Sequence, residues 1–143
     1  MQKIQTEIIV NAGLEKTWEV YTNPEKICTW AFASDDWECP HAENDLKVGG
    51  RFLTRMQAKD KSFGFDFAGM YTEVEPLKRI AYVMAKEVDE PDARACEVTF
   101  EDIGEGKTKV VVVFDAENQN PIEMQKNGWQ SILDNFKKSV ETA

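Results

Sequence analysis

A chain of 143 residues, 42% hydrophobic and 30% charged, has the composition of one ordinary globular domain, 1–143, long enough for a sizeable core. Its 17 basic and 26 acidic residues give a net charge of −9 with the basic ones dispersed, which argues against nucleic acid as a partner. No apolar run approaches the ~18 residues of a membrane span, and MQKIQTEIIVNAG holds no signal-peptide core.

Along the chain, KIQTEIIVNA alternates Ile4, Thr6, Ile8 and Val10 against Gln5, Glu7 and Ile9, which predicts a strand ended by Asn11 and Gly13. LEKTWEVYT places Leu14, Thr17, Trp18 and Tyr21 at helical spacing. Asn23 as cap and Pro24 at the first helical position then start a second short helix, predicted to reach about Trp30. Residues 31–50, AFASDDWECPHAENDLKVGG, keep no period and predict irregular chain. Gly49 and Gly50 read as a bulge or sharp turn before a strand, since the G-x-x-x-x-G-K-[ST] pattern of a phosphate loop is absent.

Strands follow in quick succession. RFLTRMQ sets Phe52, Thr54 and Met56 against Arg51, Leu53 and Arg55. In FGFDFAGMYTEVEP one face carries Phe63, Phe65, Phe67, Gly69 and Tyr71, and the other Gly64, Asp66, Ala68, Met70, Thr72 and Val74. A glycine inside an aromatic face predicts that Gly69 bends the sheet or makes room for something. Arg55 and Asp66 fall on the opposite, solvated face as a cross-strand ion pair. After a turn at Glu75-Pro76 come a strand with Ile80, Tyr82 and Met84 in phase, and another with Cys96, Val98 and Phe100. The IGEGK turn returns into TKVVVVFD, with Val110, Val112 and Phe114 inward. Asn120 and Pro121 open a long helix, predicted over Pro121–Val140, with Ile122, Trp129, Ile132, Leu133, Phe136 and Val140 on one stripe.

One strand, two short helices, five or six antiparallel strands and one long helix make an α+β fold. A single helix covers so wide a sheet only if the sheet curves around it, and a curved sheet leaves a cavity under the helix. Cys28, Cys39 and Cys96, widely spaced and without a CxxC, read as reduced thiols in a cytoplasmic protein, with Cys96 buried and no native disulfide expected.

The segments NPEKICTW, DLKVGGRFLTRM, FAGMYTEVEPLKRIAYVM, VTFEDIGEGKTKVVVVF and NGWQSILDNFKKSVE resemble, in order and spacing, proteins related to the activator of the Hsp90 ATPase. The resemblance implies the helix-grip fold of the START-like, Bet v 1-like superfamily, SRPBCC, in which a curved antiparallel sheet wraps a long C-terminal helix. It also implies the single-domain bacterial type, because the chain starts directly at the first helix-grip strand, whereas the eukaryotic co-chaperone carries an additional N-terminal domain. Superfamily members keep the cavity and differ in what they put there, from lipids and plant hormones to polyketide intermediates.

The candidate ligand-binding residues are Phe52, Met56, Phe65, Phe67, Gly69 and Tyr71 on the first strands of the run, then Tyr82, Met84 and Phe100, with Trp129 from the long helix. Trp30 and Phe32 would lie near the cavity mouth, as the superfamily architecture implies. Tyr71 and Tyr82 would supply the few polar atoms that orient a ligand. No catalytic set, metal cluster or cofactor motif emerges, and His41, beside Glu43 and Asp45, reads as a solvated loop residue. The leading expectation is binding of a small apolar or amphipathic molecule without chemistry, and no membrane insertion. The alternatives are a chaperone-associated protein-interaction module, and a cyclase- or hydrolase-like enzyme using His41 or a tyrosine. A homodimer is compatible with a domain of this size.

Overall fold

The computed structural model describes residues 2–84 and 93–142. Strand β1 (Lys3–Val10) leads into helices α1 (Leu14–Thr22) and α2 (Pro24–Ile27), followed by β2 (Trp37–Asn44), β3 (Arg51–Ala58), β4 (Gly64–Glu75) and β5 (Arg79–Met84). Strands β6 (Arg94–Gly104) and β7 (Lys107–Asp115) and helix α3 (Ile122–Thr142) follow among the described residues. The seven strands form one antiparallel sheet in the order β1-β7-β6-β5-β4-β3-β2. It curls as a half-barrel around α3, the helix-grip architecture.

Local chemistry accounts for the element ends. The Asn23 side chain accepts the Glu25 N–H (2.9 Å), so α2 begins where the cap and proline predict. Both residues of the β6–β7 turn, Glu105 and Gly106, have positive φ (57° and 69°), the backbone that matches the twist of a tight hairpin. Along α3, Leu133, Phe136 and Val140 are buried, and Trp129 and Ile132 are packed against the core. Ile122, expected on the same stripe, is instead 36% exposed, and the buried residue of the first turn is Gln125.

Strand β1 is an edge strand, and α3 supplies partners for its free backbone groups. Gln130 donates to the Glu7 carbonyl (3.1 Å), Lys137 donates to the Ile9 carbonyl (2.8 Å), and the Asn11 N–H is bound by the Glu141 carboxylate (2.8 Å). These contacts satisfy groups that could otherwise pair with another chain.

Besides Ile122, three sequence expectations change, the first being that α2 ends at Ile27 and does not reach Trp30. Residues 37–44 are not irregular chain but strand β2, paired with β3 from Trp37↔Ala58 to Asn44↔Phe52. A register shift between Glu38 and His41 and a proline at position 40 destroy its alternation; as the other edge strand, β2 tolerates both. In β4 the register shifts between Tyr71 and Glu73, so the parity flips and Val74, expected outward, packs on the core. Arg55 and Asp66 are cross-strand partners, with Nη1 3.4 Å from Oδ1, on the solvated face as expected.

The turn between β7 and α3 depends on one buried amide. Gln125 accepts the Glu117 N–H (2.9 Å) and donates to the Asn120 carbonyl (2.8 Å) and the Glu117 carbonyl (3.2 Å). Gln125→Leu keeps the bulk and leaves those groups without their partner, an expected loss of about 1–3 kcal/mol in a urea titration.

Candidate binding cavity

A cavity of about 530 Å³ opens between the concave face of the sheet and α3. Phe52, Thr54 and Met56 of β3 and Phe65, Phe67 and Tyr71 of β4 build its sheet wall, with Tyr82 of β5 and Val112 of β7 behind them. Helix α3 closes the opposite side with Met124, Gly128, Trp129, Ile132 and Leu133. Tyr21 of α1, Ile27 at the end of α2 and residues 30–34 after it form the third side, with Trp37 beyond them, and Glu43, Asn44, Arg94, Glu117, Asn120 and Gln125 add polar groups to the lining. The Trp129 ring is stacked on Phe114 at 3.8 Å and meets Phe67 edge-on at 6.0 Å, which fixes it between helix and sheet.

Nine of the twelve candidate residues lie on this wall: Trp30, Phe32, Phe52, Met56, Phe65 and Phe67, with Tyr71, Tyr82 and Trp129. Three do not. Phe100 is buried under α1, in ring contact with Trp18 (5.1 Å) and Tyr21 (5.4 Å). Met84, at the end of β5, packs on the core and is not part of the wall. Gly69 faces its cross-strand partner Phe52, and the ring of Phe52 occupies the space a side chain there would need. A Cβ on Gly69 would fall on the Val83 carbonyl oxygen and lie 2.7 Å from the Phe52 ring. The glycine therefore seats an aromatic ring, as cross-strand aromatics do over glycines elsewhere.

The open space belongs to another glycine. Gly128 lies on the cavity wall in the middle of α3, and a Cβ added there would meet nothing within 4 Å. Sequence reasoning passed over it, although a glycine inside a helix costs about 1 kcal/mol relative to alanine, and that cost was the available signal. Trp30 also differs from its expected place at the mouth. It is 7% exposed, its indole N–H donates to the Val20 carbonyl (2.9 Å), and its ring meets Phe136 at 5.1 Å. The outer rim is made by Phe65 and Met124, 49% and 62% exposed.

The polar groups of the wall are three phenols, the uncharged Ser34, Asn44, Thr54, Asn120 and Gln125, and the ionisable Glu43, Arg94 and Glu117. Burial pushes the Tyr21 and Tyr82 hydroxyls well above their ordinary pKa. Burial raises Tyr71 as well, against the opposing effect of its bond to the Asn44 side-chain oxygen. Asn44 is held in turn by donating to the Thr22 carbonyl (2.7 Å). Protonated phenols can donate hydrogen bonds to a guest, but they are not bases at neutral pH. His41 is off the wall with its side chain 59% exposed, and its Nε2 lies 2.9 Å from Glu43, which is on the wall. Among the described residues no group of three or more His, Cys, Asp or Glu could hold a metal ion, and no helix is long and apolar enough to cross a membrane.

A half-barrel sheet gripping a C-terminal helix over an internal cavity defines the helix-grip class. Residues 11–141 match the family described as Activator of Hsp90 ATPase homolog 1-like protein, and the chain belongs to that family. Its fold is shared with the solution structure of the AHSA1-like protein from Aeromonas hydrophila, at 41% identity and a TM-score of 0.87, covering 99% of this chain and 93% of that one. A protein of Cytophaga hutchinsonii is also 41% identical, with a TM-score of 0.79 and coverage of 98% and 92%. A Chromobacterium violaceum protein, 23% identical over 97% and 96% of the two chains, shares the fold at a TM-score of 0.83. No curated protein is significantly similar to the chain.

Proposed function

We propose that the cavity holds a small, largely apolar molecule and that the protein carries or sequesters this molecule without chemistry. The observation behind this reading is the space itself, about 530 Å³ walled by aromatic side chains from both sheet and helix, in the size range of small-molecule sites. Burying an apolar guest there removes its surface from water at roughly 25 cal/mol per Å². The protonated Tyr21 hydroxyl and the Tyr71–Asn44 pair are among the polar groups of the wall that can fix orientation. A catalytic reading needs two ionisable groups meeting inside the cavity; its three tyrosines stay protonated, and its charged side chains are bound to other partners, Glu43 to His41 off the wall, Arg94 to the Asp115 carbonyl and Glu117 to the Asn120 amide.

Native mass spectrometry of protein purified from its own host tests the proposal. The expected result is a co-purifying small molecule that, added back to stripped protein, raises the melting temperature by binding the folded state. Stripped protein whose melting temperature does not respond to any co-purified species would count against it.

A further inference from the structure

Three cysteines far apart in sequence give no sign of a pair, yet the fold brings two of them together. Cys28, at the end of α2, and Cys39, in β2, have sulfurs 3.6 Å apart, and all three cysteines are free thiols. Closing that gap to a disulfide of ~2.05 Å needs about 1.5 Å of movement. Cys39 sits where the β2–β3 register shifts, between Glu38 and His41, so the local ladder is already interrupted. The residues between the two thiols include Trp30, Ala31, Phe32 and Trp37, all on the cavity wall.

We propose that Cys28 and Cys39 are a reversible dithiol–disulfide pair, oxidised by a low-molecular-weight disulfide of the glutathione class, and that the oxidised form fixes this side of the cavity. Cys28 is the part-exposed member and reacts first. Its thiolate attacks one sulfur of the oxidant; the oxidant's S–S bond breaks, a mixed disulfide forms, and one small thiolate leaves and takes a proton from water. Cys39 then gives its proton to solvent and attacks the Cys28 sulfur, expelling the second small thiol. Two protein thiols are oxidised and one small disulfide is reduced to two thiols. Burial, with the hydrogen bond to Cys28 next, pushes the Cys39 thiol up to about 12, which makes its attack the slower step. Cys96, 2% exposed on β6 and pushed up to about 12 chiefly by burial, is the internal control. This inference does not depend on whether the cavity has a ligand.

The test equilibrates the folded protein in glutathione buffers of rising disulfide content, then alkylates, digests without reductant and maps peptides by mass. The expected result is loss of two of the three alkylatable thiols, a Cys28–Cys39 peptide pair lighter by two hydrogens, and reversal by excess reduced glutathione. Cys96→Ser should behave as wild type, and Cys39→Ser should stop at a glutathione adduct on Cys28. Amide hydrogen exchange across residues 29–38 should slow in the linked form. An adduct that stays on Cys28 in wild type, linkage only after unfolding, or linkage between two copies would overturn the pair. Unchanged exchange across 29–38 in the linked protein would overturn its effect on the wall.

Discussion

Phe136→Ala should lower the unfolding free energy by about 3–5 kcal/mol, read as a fall in the urea midpoint with little change in slope. Phe136 has 0% exposure, and its ring meets Tyr21 and Trp30 edge-on, each at 5.1 Å. It therefore joins α3 to α1 and to the segment after α2 at one point. Truncation removes the transfer energy of the ring and both aromatic contacts, and the hole it leaves cannot collapse without moving the helix. Leu133→Ala, one turn earlier and 3% exposed, belongs to the same series at about 2–5 kcal/mol. A change near zero at both sites would mean that the sheet does not grip α3.

Gly69→Ala is expected to cost about 3 kcal/mol, at the top of the overpacking range, although only one methyl group is added. The obstacle decides the size. One neighbour, the Phe52 ring, can swing aside, but the other is the main-chain oxygen of Val83, which moves only if β5 moves. Gly69→Ala/Phe52→Ala should therefore recover none of the loss attributable to the backbone contact. If the double variant instead matched Phe52→Ala alone, the ring would be the whole obstacle. Gly128→Ala, by contrast, meets open space and should stabilise the protein by up to about 1 kcal/mol through helix propensity.

The architecture was legible because period and caps agree over most of the chain. Val98, Val110, Val112 and Phe114 alternate with polar or less buried neighbours, and α3 carries its apolar stripe over many turns. Strand β2 was not legible, because Pro40 and the register shift remove the alternation that marks a strand. Val74 lies on the face opposite to the one its alternation predicts for a related reason, since the register shift in β4 inverts the parity of everything after it. The cavity was readable as a set of aromatic faces, but not as a volume. Gly69 and Gly128 differ in what surrounds them, a ring and a carbonyl oxygen in one case and open space in the other, and neither is encoded in local sequence. The Cys28–Cys39 approach likewise depends on where β2 docks beside α2, a long-range contact with no local signature.

The most direct test of the cavity as a binding site is titration of a hydrophobic fluorescent probe into wild type and Gly128→Leu. The leucine projects from the middle of α3 into space lined by Trp129, Ile132 and the sheet aromatics, where nothing lies within 4 Å of its Cβ. It should fill part of the volume while leaving the helix intact, since leucine is a better helix former than glycine. The account predicts saturable binding of the probe to wild type, with a rise in melting temperature. It predicts that Gly128→Leu folds with equal or greater stability and loses that binding, while Gly128→Ala retains most of it. Equal probe affinity in wild type and a folded Gly128→Leu would contradict the account and leave the aromatic wall as packing alone.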